Sequence, residues 1–175
     1  GDGDEPTSSF VESVSLGIAS DTDFDTWSQP EKYATLSPAS DRDFYAFNYY
    51  TSVSFYRPAV KVTPEVDAPG LTFEVCIFVT CSVDPDFGTA DVTTLCLDGS
   101  NKVTEGGKVG CCKSAEASRV AAFELTPDRV FCSRDGVVVQ SRADAFVTVR
   151  RTLPPVAPSC LGYTIQHGVR MVIAP

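Results

Sequence analysis

Five aspartates in the first third of the chain are the side chains best placed by type and spacing to do chemistry. Asp21, Asp23 and Asp25 alternate with Thr22 and Phe24, and Asp41 and Asp43 stand at the mouth of an aromatic segment. A hard cation needs several oxygen ligands converging at about 2.3 to 2.6 Å. These carboxylates would share a calcium ion if the stretch between them folds back on the rest of the chain. Asp84, Asp86 and Asp91 form a second acidic group, without the Gly and closing Glu of an EF-hand loop. Stacking is the other chemistry on offer. Tyr45, Phe47 and Tyr49 share one face of an extended segment and Phe44 and Tyr50 the other, because successive strand side chains alternate. Buried, such rings are core; exposed, Tyr45, Tyr49 and Tyr50 would make a platform for sugars or for proline-rich polypeptide.

Catalysis is poorly provided for, and no catalytic residue is expected. His167 is the single histidine, so a serine or cysteine triad has one candidate base, and no Gly-x-Ser-x-Gly elbow is present. At the end of a strand candidate and before Gly168, His167 is expected at the surface or with its hydrogen bonds satisfied. A two-carboxylate hydrolase is the remaining enzymatic option, since the chain carries 23 acids.

Seven cysteines, Cys76, Cys81, Cys96, Cys111, Cys112, Cys132 and Cys160, point to an oxidising compartment. Zinc is disfavoured because no Cys-x-x-Cys occurs and histidine is nearly absent. The expectation is three disulfides and one odd thiol. Adjacent Cys111 and Cys112 should bond different partners, since a vicinal ring strains the backbone. The connectivity stays open.

The formal charge of −9 is unevenly spread. Residues 1–45 carry ten acids against two bases, and the remaining 130 carry thirteen against twelve. Nucleic acid is excluded as a partner, because phosphate neutralisation needs a basic face. At 43% hydrophobic and 21% charged, the composition is that of a folded globular chain. The longest apolar run, Val75 to Val79, is strand-sized and far below the roughly 18 residues of a membrane span. The chain opens at Gly1 without a basic or apolar leader segment, so a targeting signal is expected to have been removed or to lie outside this stretch. Extracellular or cell-surface placement follows, with the periplasm as an alternative.

These groups must be positioned by strands. Residues 1–13 read as a flexible acidic leader and 14–175 as one domain. Ser13 to Ala19 is a short strand, Asp21 to Ser40 a long polar connection, and Phe44 to Tyr56 one long or two short strands. Leu71 to Thr80 alternates, with Leu71, Phe73, Val75, Ile77 and Val79 on one face, and so predicts a strand with a buried side. Residues 81–118 read as a cysteine-rich, stapled insertion containing a hairpin, with turn pairs Asp98-Gly99 and Gly106-Gly107. Arg119–Thr126, Val130–Cys132, Val137–Gln140, Ala145–Arg151, Leu161–His167 and Val169–Ala174 follow as strands, and Asp135-Gly136 marks a hairpin. Short strands at intervals of about ten residues specify an all-β, antiparallel, disulfide-stapled sandwich.

The order of motifs resembles the bacterial pre-peptidase C-terminal domain family, a secreted jelly-roll-like β-sandwich. Asp41 to Phe47 is similar to that family's Asp-x-Asp-Tyr-Tyr-x-Phe segment, and Leu71 to Val79 to its alternating strand. Ala143 to Val149 is similar to its Gly-Thr-Tyr-Tyr-Val-x-Val, and Tyr163-Thr164-Ile165 to its closing Tyr-Thr-Leu. Ala143-Asp144 replaces the Gly-Thr, and residues 81–118 have no counterpart. The resemblance implies a non-catalytic accessory module that binds extracellular polysaccharide or protein polymer or assists secretion, in some members with calcium near the N-terminal turn. A structural spacer of a surface lipoprotein is the alternative.

Overall fold

The structure, a computed structural model, describes residues 10–20, 26–36, 41–50, 56–81, 91–96, 99–120, 122–127, 129–134, 137–138, 142–153 and 160–171. Thirteen strands are assigned among them: β1 (Val14–Ser20), β2 (Lys32–Leu36), β3 (Arg42–Tyr50), β4 (Tyr56–Pro64), β5 (Ala68–Cys81), β6 (Asp91–Leu95), β7 (Asn101–Glu105), β8 (Lys108–Ala117), β9 (Phe123–Leu125), β10 (Arg129–Arg134), β11 (Val137–Val138), β12 (Arg142–Leu153) and β13 (Leu161–Met171). A six-stranded sheet in the order β1-β3-β12-β5-β8-β7 faces a four-stranded sheet, β2-β13-β4-β9, and β11-β10-β6 make a small third sheet. The first five strands alternate between the two large sheets, so each connection among them crosses the sandwich. None of the described helical segments is long and apolar enough to cross a membrane.

The period-two pattern of β5 explains the core. Leu71, Phe73, Val75, Ile77 and Val79 are all at most 2% exposed, and they meet Val60 and Val62 of β4 and Leu161, Tyr163 and Ile165 of β13 across the sandwich. Each such side chain contributes about 1.5–3 kcal/mol by leaving water. β12 lies between β3 and β5, hydrogen-bonded on both edges, and adds Ala145, Val147 and Val149 to the same layer.

β5 is also covered on its second face, which the alternation alone does not reveal. Cys76, Phe78 and Cys112 form a separate cluster there, closed by Phe10, Val103 and Phe146. Phe10 meets Phe44, Phe78 and Phe146 edge to face at 5.1, 5.2 and 5.8 Å between centroids. The expected leader therefore ends earlier: Phe10–Glu12 is a 3-10 turn whose first ring is packed, because three rings on the sheet leave a socket for a fourth. Gly110, opposite Phe78, is part of the same fit. A Cβ there would lie 2.6 Å from the Phe78 ring and 2.4 Å from the Ile77 carbonyl.

Three expectations are corrected. β1 pairs with β3 in parallel, not antiparallel, because the chain between them crosses to the other sheet to form β2. Residues 81–118 are not an appendage: β7 and β8 form a hairpin around Gly106-Gly107, and β8 is β5's neighbour in the main sheet. The polar connection Asp21–Ser40 contains β2, which pairs with β13. The hairpin expected at Asp135-Gly136 has its flanks in antiparallel register, Ser133 with Val138 and Arg134 with Val137.

The vicinal cysteines sit in a strand, so their side chains leave on opposite faces. Cys111 points into the core and bonds Cys96, while Cys112 points outward and bonds Cys76. The expectation of different partners holds for that reason. Cys81 is also disulfide-bonded, Cys160 is free and exposed, and the side chain of Cys132 lies outside the described residues.

Candidate functional site

The aromatic strand β3 turns its rings inward. Tyr45 is fully buried and Tyr49 is 4% exposed, so neither offers a face to a ligand, and the expected platform is corrected on this point. The physical reason is that one face of β3 looks across the sandwich, where ring area is worth most. Only the backbone of Tyr50 is described. Asp43 is 1% exposed and accepts a hydrogen bond from the Tyr163 hydroxyl, which in turn lies 2.7 Å from the Tyr45 hydroxyl. This chain ties β3 to β13 across the core. Burial raises the pKa of Tyr45, Tyr49 and Tyr163, and the Asp43 charge adds to the rise at Tyr45 and Tyr163. Asp43 is thus directed into the sandwich and not toward a solvent-facing cation. Asp41 is half-buried at the foot of β3. Asp21, Asp23, Asp25, Asp84 and Asp86 lie outside the described residues, as does the side chain of Asp91.

His167, within β13, is buried against the end of β1 and the Phe47 ring of β3. Its ring lies 4.9 Å from the Phe47 ring and its Nε2 is 3.4 Å from the Ile18 carbonyl oxygen. Desolvation pushes its pKa below the ordinary histidine value, against the opposing pull of that carbonyl. His167 is 5% exposed, so of its two expected placements the surface one is corrected and the hydrogen-bonded one agrees with these contacts.

A different aromatic residue, Trp27, stands half-buried at the surface. Residues Thr26–Ser28 run beside β13 beyond the end of β2. Trp27 makes an isolated antiparallel bridge with Gly168, the Ser28 N–H donates to the His167 carbonyl, and the His167 N–H donates to Ser28 Oγ at 3.0 Å. Paired residues in such a bridge project to the same side, so the indole lies over Gly168 on the outer face of the four-stranded sheet. Gly168 is paired on its other side with Ala59. Two small residues side by side make a floor for the ring, and a Cβ on Gly168 would stand 2.6 Å from the Thr26 carbonyl.

Cations surround this indole. The Arg170 guanidinium is 4.2 Å from its centroid and the Lys61 ammonium 5.7 Å. A cleft of about 100 Å³ on one side is lined by Trp27, Ser100, Lys113, Glu124, Thr126 and Arg170. A second cleft, of about 210 Å³, is walled by Trp27, Ser20, Thr26, Ser28, Ile18 and His167. Arg170 sits directly opposite Arg57 in the ladder, a like-charged pair that costs stability. Glu124, 3.6 Å from Arg170, and the indole face offset part of it.

Sequence reasoning places Trp27 only within the polar connection Asp21–Ser40 and gives it no role. The available signal was its solitude: the one tryptophan of the chain, in a stretch of Asp, Ser, Thr and Pro that has little core to offer it.

No family model matches the chain, and no curated protein sequence matches it. A solved structure of CorA, described as a surface-associated copper-binding protein important in Methylomicrobium album BG8 copper acquisition, is similar at 10% identity, with a TM-score of 0.35, over 91% of this chain and 100% of that one. A structure from Desmodium yellow mottle tymovirus is similar at 9% identity, with a TM-score of 0.30, over 85% of this chain and 93% of that one. Likeness at this level carries no functional argument for the chain.

Proposed function

We propose that the protein is a non-catalytic binding module of the extracellular surface, and that the Trp27 region binds an acidic polysaccharide. The observation that carries this reading is the convergence of Lys61 and Arg170 on one indole, with Lys113 lining the cleft beside it and its ammonium 5.5 Å from the Phe123 ring, in a chain whose net charge is −9. Lys113 and Arg170 supply donors for a carboxylate or sulfate in the smaller cleft. Ser20, Thr26 and Ser28 line the larger one with groups that suit sugar hydroxyls, and Trp27 forms the ridge between them. A linear polymer crossing that ridge would place an anionic unit on one side and a hydroxylated unit on the other. Two placed disulfides fit the oxidising compartment in which such polymers occur. The accessory-module role implied by the pre-peptidase C-terminal resemblance runs in the same direction.

Titration with a polyuronate and with a neutral glucan of similar length tests this. Binding should be confined to the polyuronate, weaken with rising salt because exposed charges are screened over about 10 Å at 0.1 M, and fall on Arg170→Gln or Lys113→Gln. Equal binding to both polymers contradicts the reading, and binding to neither leaves the structural spacer as the better description.

A further inference from the structure

We propose that the Cys76–Cys112 disulfide is the closed form of a metal site: once reduced, its two thiolates and the Glu74 carboxylate hold a borderline divalent cation of the zinc type. Among the described residues this is the one place where three metal-ligating atoms from separate side chains come within 4.8 Å of one another. Two sulfurs and a carboxylate oxygen are a donor set that zinc accepts, and three protein ligands leave its fourth position to water or an outside ligand.

The sheet keeps the donors together whether or not the sulfurs are bonded. Cys76 and Cys112 are direct cross-strand partners, with Val75–Lys113 and Glu74–Ser114 paired on one side and Ile77–Cys111 and Phe78–Gly110 on the other. Next to them, on the opposite face of β8, Cys96–Cys111 provides a second covalent tie. The Cys76–Cys112 bond therefore joins residues that hydrogen bonding and packing already hold in register. Opening it leaves two thiols facing each other, not two separated strands. Glu74 projects from the same face of β5 as Cys76, with an oxygen 3.7 Å from the Cys76 sulfur. Arg150 holds that carboxylate in place at 2.7 Å. Solvent reaches the cluster along Glu74, whose side chain is 19% exposed, while Phe10, Phe78, Val103 and Phe146 close its other sides.

The chemistry balances with a dithiol as reductant. The dithiol gives two electrons and two protons to the S–S bond and leaves as its own cyclic disulfide, freeing Cys76 and Cys112 as thiols. Binding of the cation then displaces both thiol protons to solvent.

Native mass spectrometry with zinc ions, on the full chain in a Cys160→Ser background, is the test. Protein treated with limiting dithiothreitol until thiol alkylation maps to Cys76 and Cys112 alone, with Cys96–Cys111 intact and strand circular dichroism kept, should take up one zinc at the site, and untreated protein none. Cys112→Ser should abolish that uptake, and Glu74→Gln, which leaves every disulfide intact, should weaken it about tenfold or more. Uptake that ignores Glu74→Gln, uptake that survives Cys112→Ser, or a Cys76–Cys112 bond that opens only as the sheet unfolds would overturn the proposal. Trp27, Lys61 and Arg170 belong to the other sheet, and Lys113, the residue after Cys112, leaves β8 on the face opposite the sulfurs, so zinc uptake and polymer binding are read separately.

Discussion

Two aromatic regions of this molecule have opposite fates. β3 concentrates five rings in seven residues, Phe44 to Tyr50, and spends Tyr45, Phe47 and Tyr49 on the space between the sheets. Trp27 stands in a polar stretch and lies on the outer face of the four-stranded sheet among Lys61, Lys113 and Arg170. Ring density marks a place where area can be buried on a regular strand. A solitary ring on a floor of glycine and alanine marks a surface feature, because nothing about core formation requires it there.

If that contrast is right, truncating the inner region should cost far more stability than truncating the outer one. Tyr45→Ala should remove about 3–5 kcal/mol of unfolding free energy, read from urea melts. Tyr163→Phe keeps the ring but withdraws the donor that faces buried Asp43, and should cost about 1–3 kcal/mol. Gly168→Ala should push Thr26 off β13 and cost about 1–3 kcal/mol by overpacking, while also weakening polymer binding. Trp27→Ala, which empties a half-buried surface site, should cost under about 2 kcal/mol yet lose most of the binding. A larger stability loss at Trp27 than at Tyr45 would break the comparison.

The two regions should also separate by pH, with smaller effects. Tyr45, Tyr49 and Tyr163 have folded pKa values raised above the unfolded value of about 10. The folded state then holds more protons, so their contribution is complete below about pH 10 and is lost as pH climbs above it. His167 is shifted the other way, downward from about 6.5. The folded state holds fewer protons there, so stability is complete above about pH 6.5 and declines as pH falls toward the folded value. His167→Gln should flatten the acid-side decline in a series of urea melts, and Tyr163→Phe should soften the alkaline one.

Much of this architecture was legible from periodicity. The alternation of Leu71 to Val79 predicts β5 and its inner face, and strand geometry alone accounts for Cys111 and Cys112 parting to different partners. What could not be read was long-range pairing. Nothing in Lys32–Leu36 announces a strand until β13 is beside it, and nothing in Val14–Ser20 reveals a parallel partner. The candidate site was illegible for the same reason. Trp27, Lys61 and Arg170 come from three separate segments and become neighbours through the ladder that sets Gly168 against Ala59, while Lys113 reaches the cleft from β8 of the other sheet. Conversely, Asp43 looked like a solvent-facing carboxylate because sequence shows its charge and not the tyrosine across the core.

The central claim is that the cation-flanked indole, and not the aromatic strand, meets the ligand. Calorimetric titration of a polyuronate into the wild-type protein and into Trp27→Ala/Arg170→Gln tests it most directly. The account predicts salt-sensitive binding by the first and none by the second, with both proteins still folded. Undiminished binding by the double variant would contradict it.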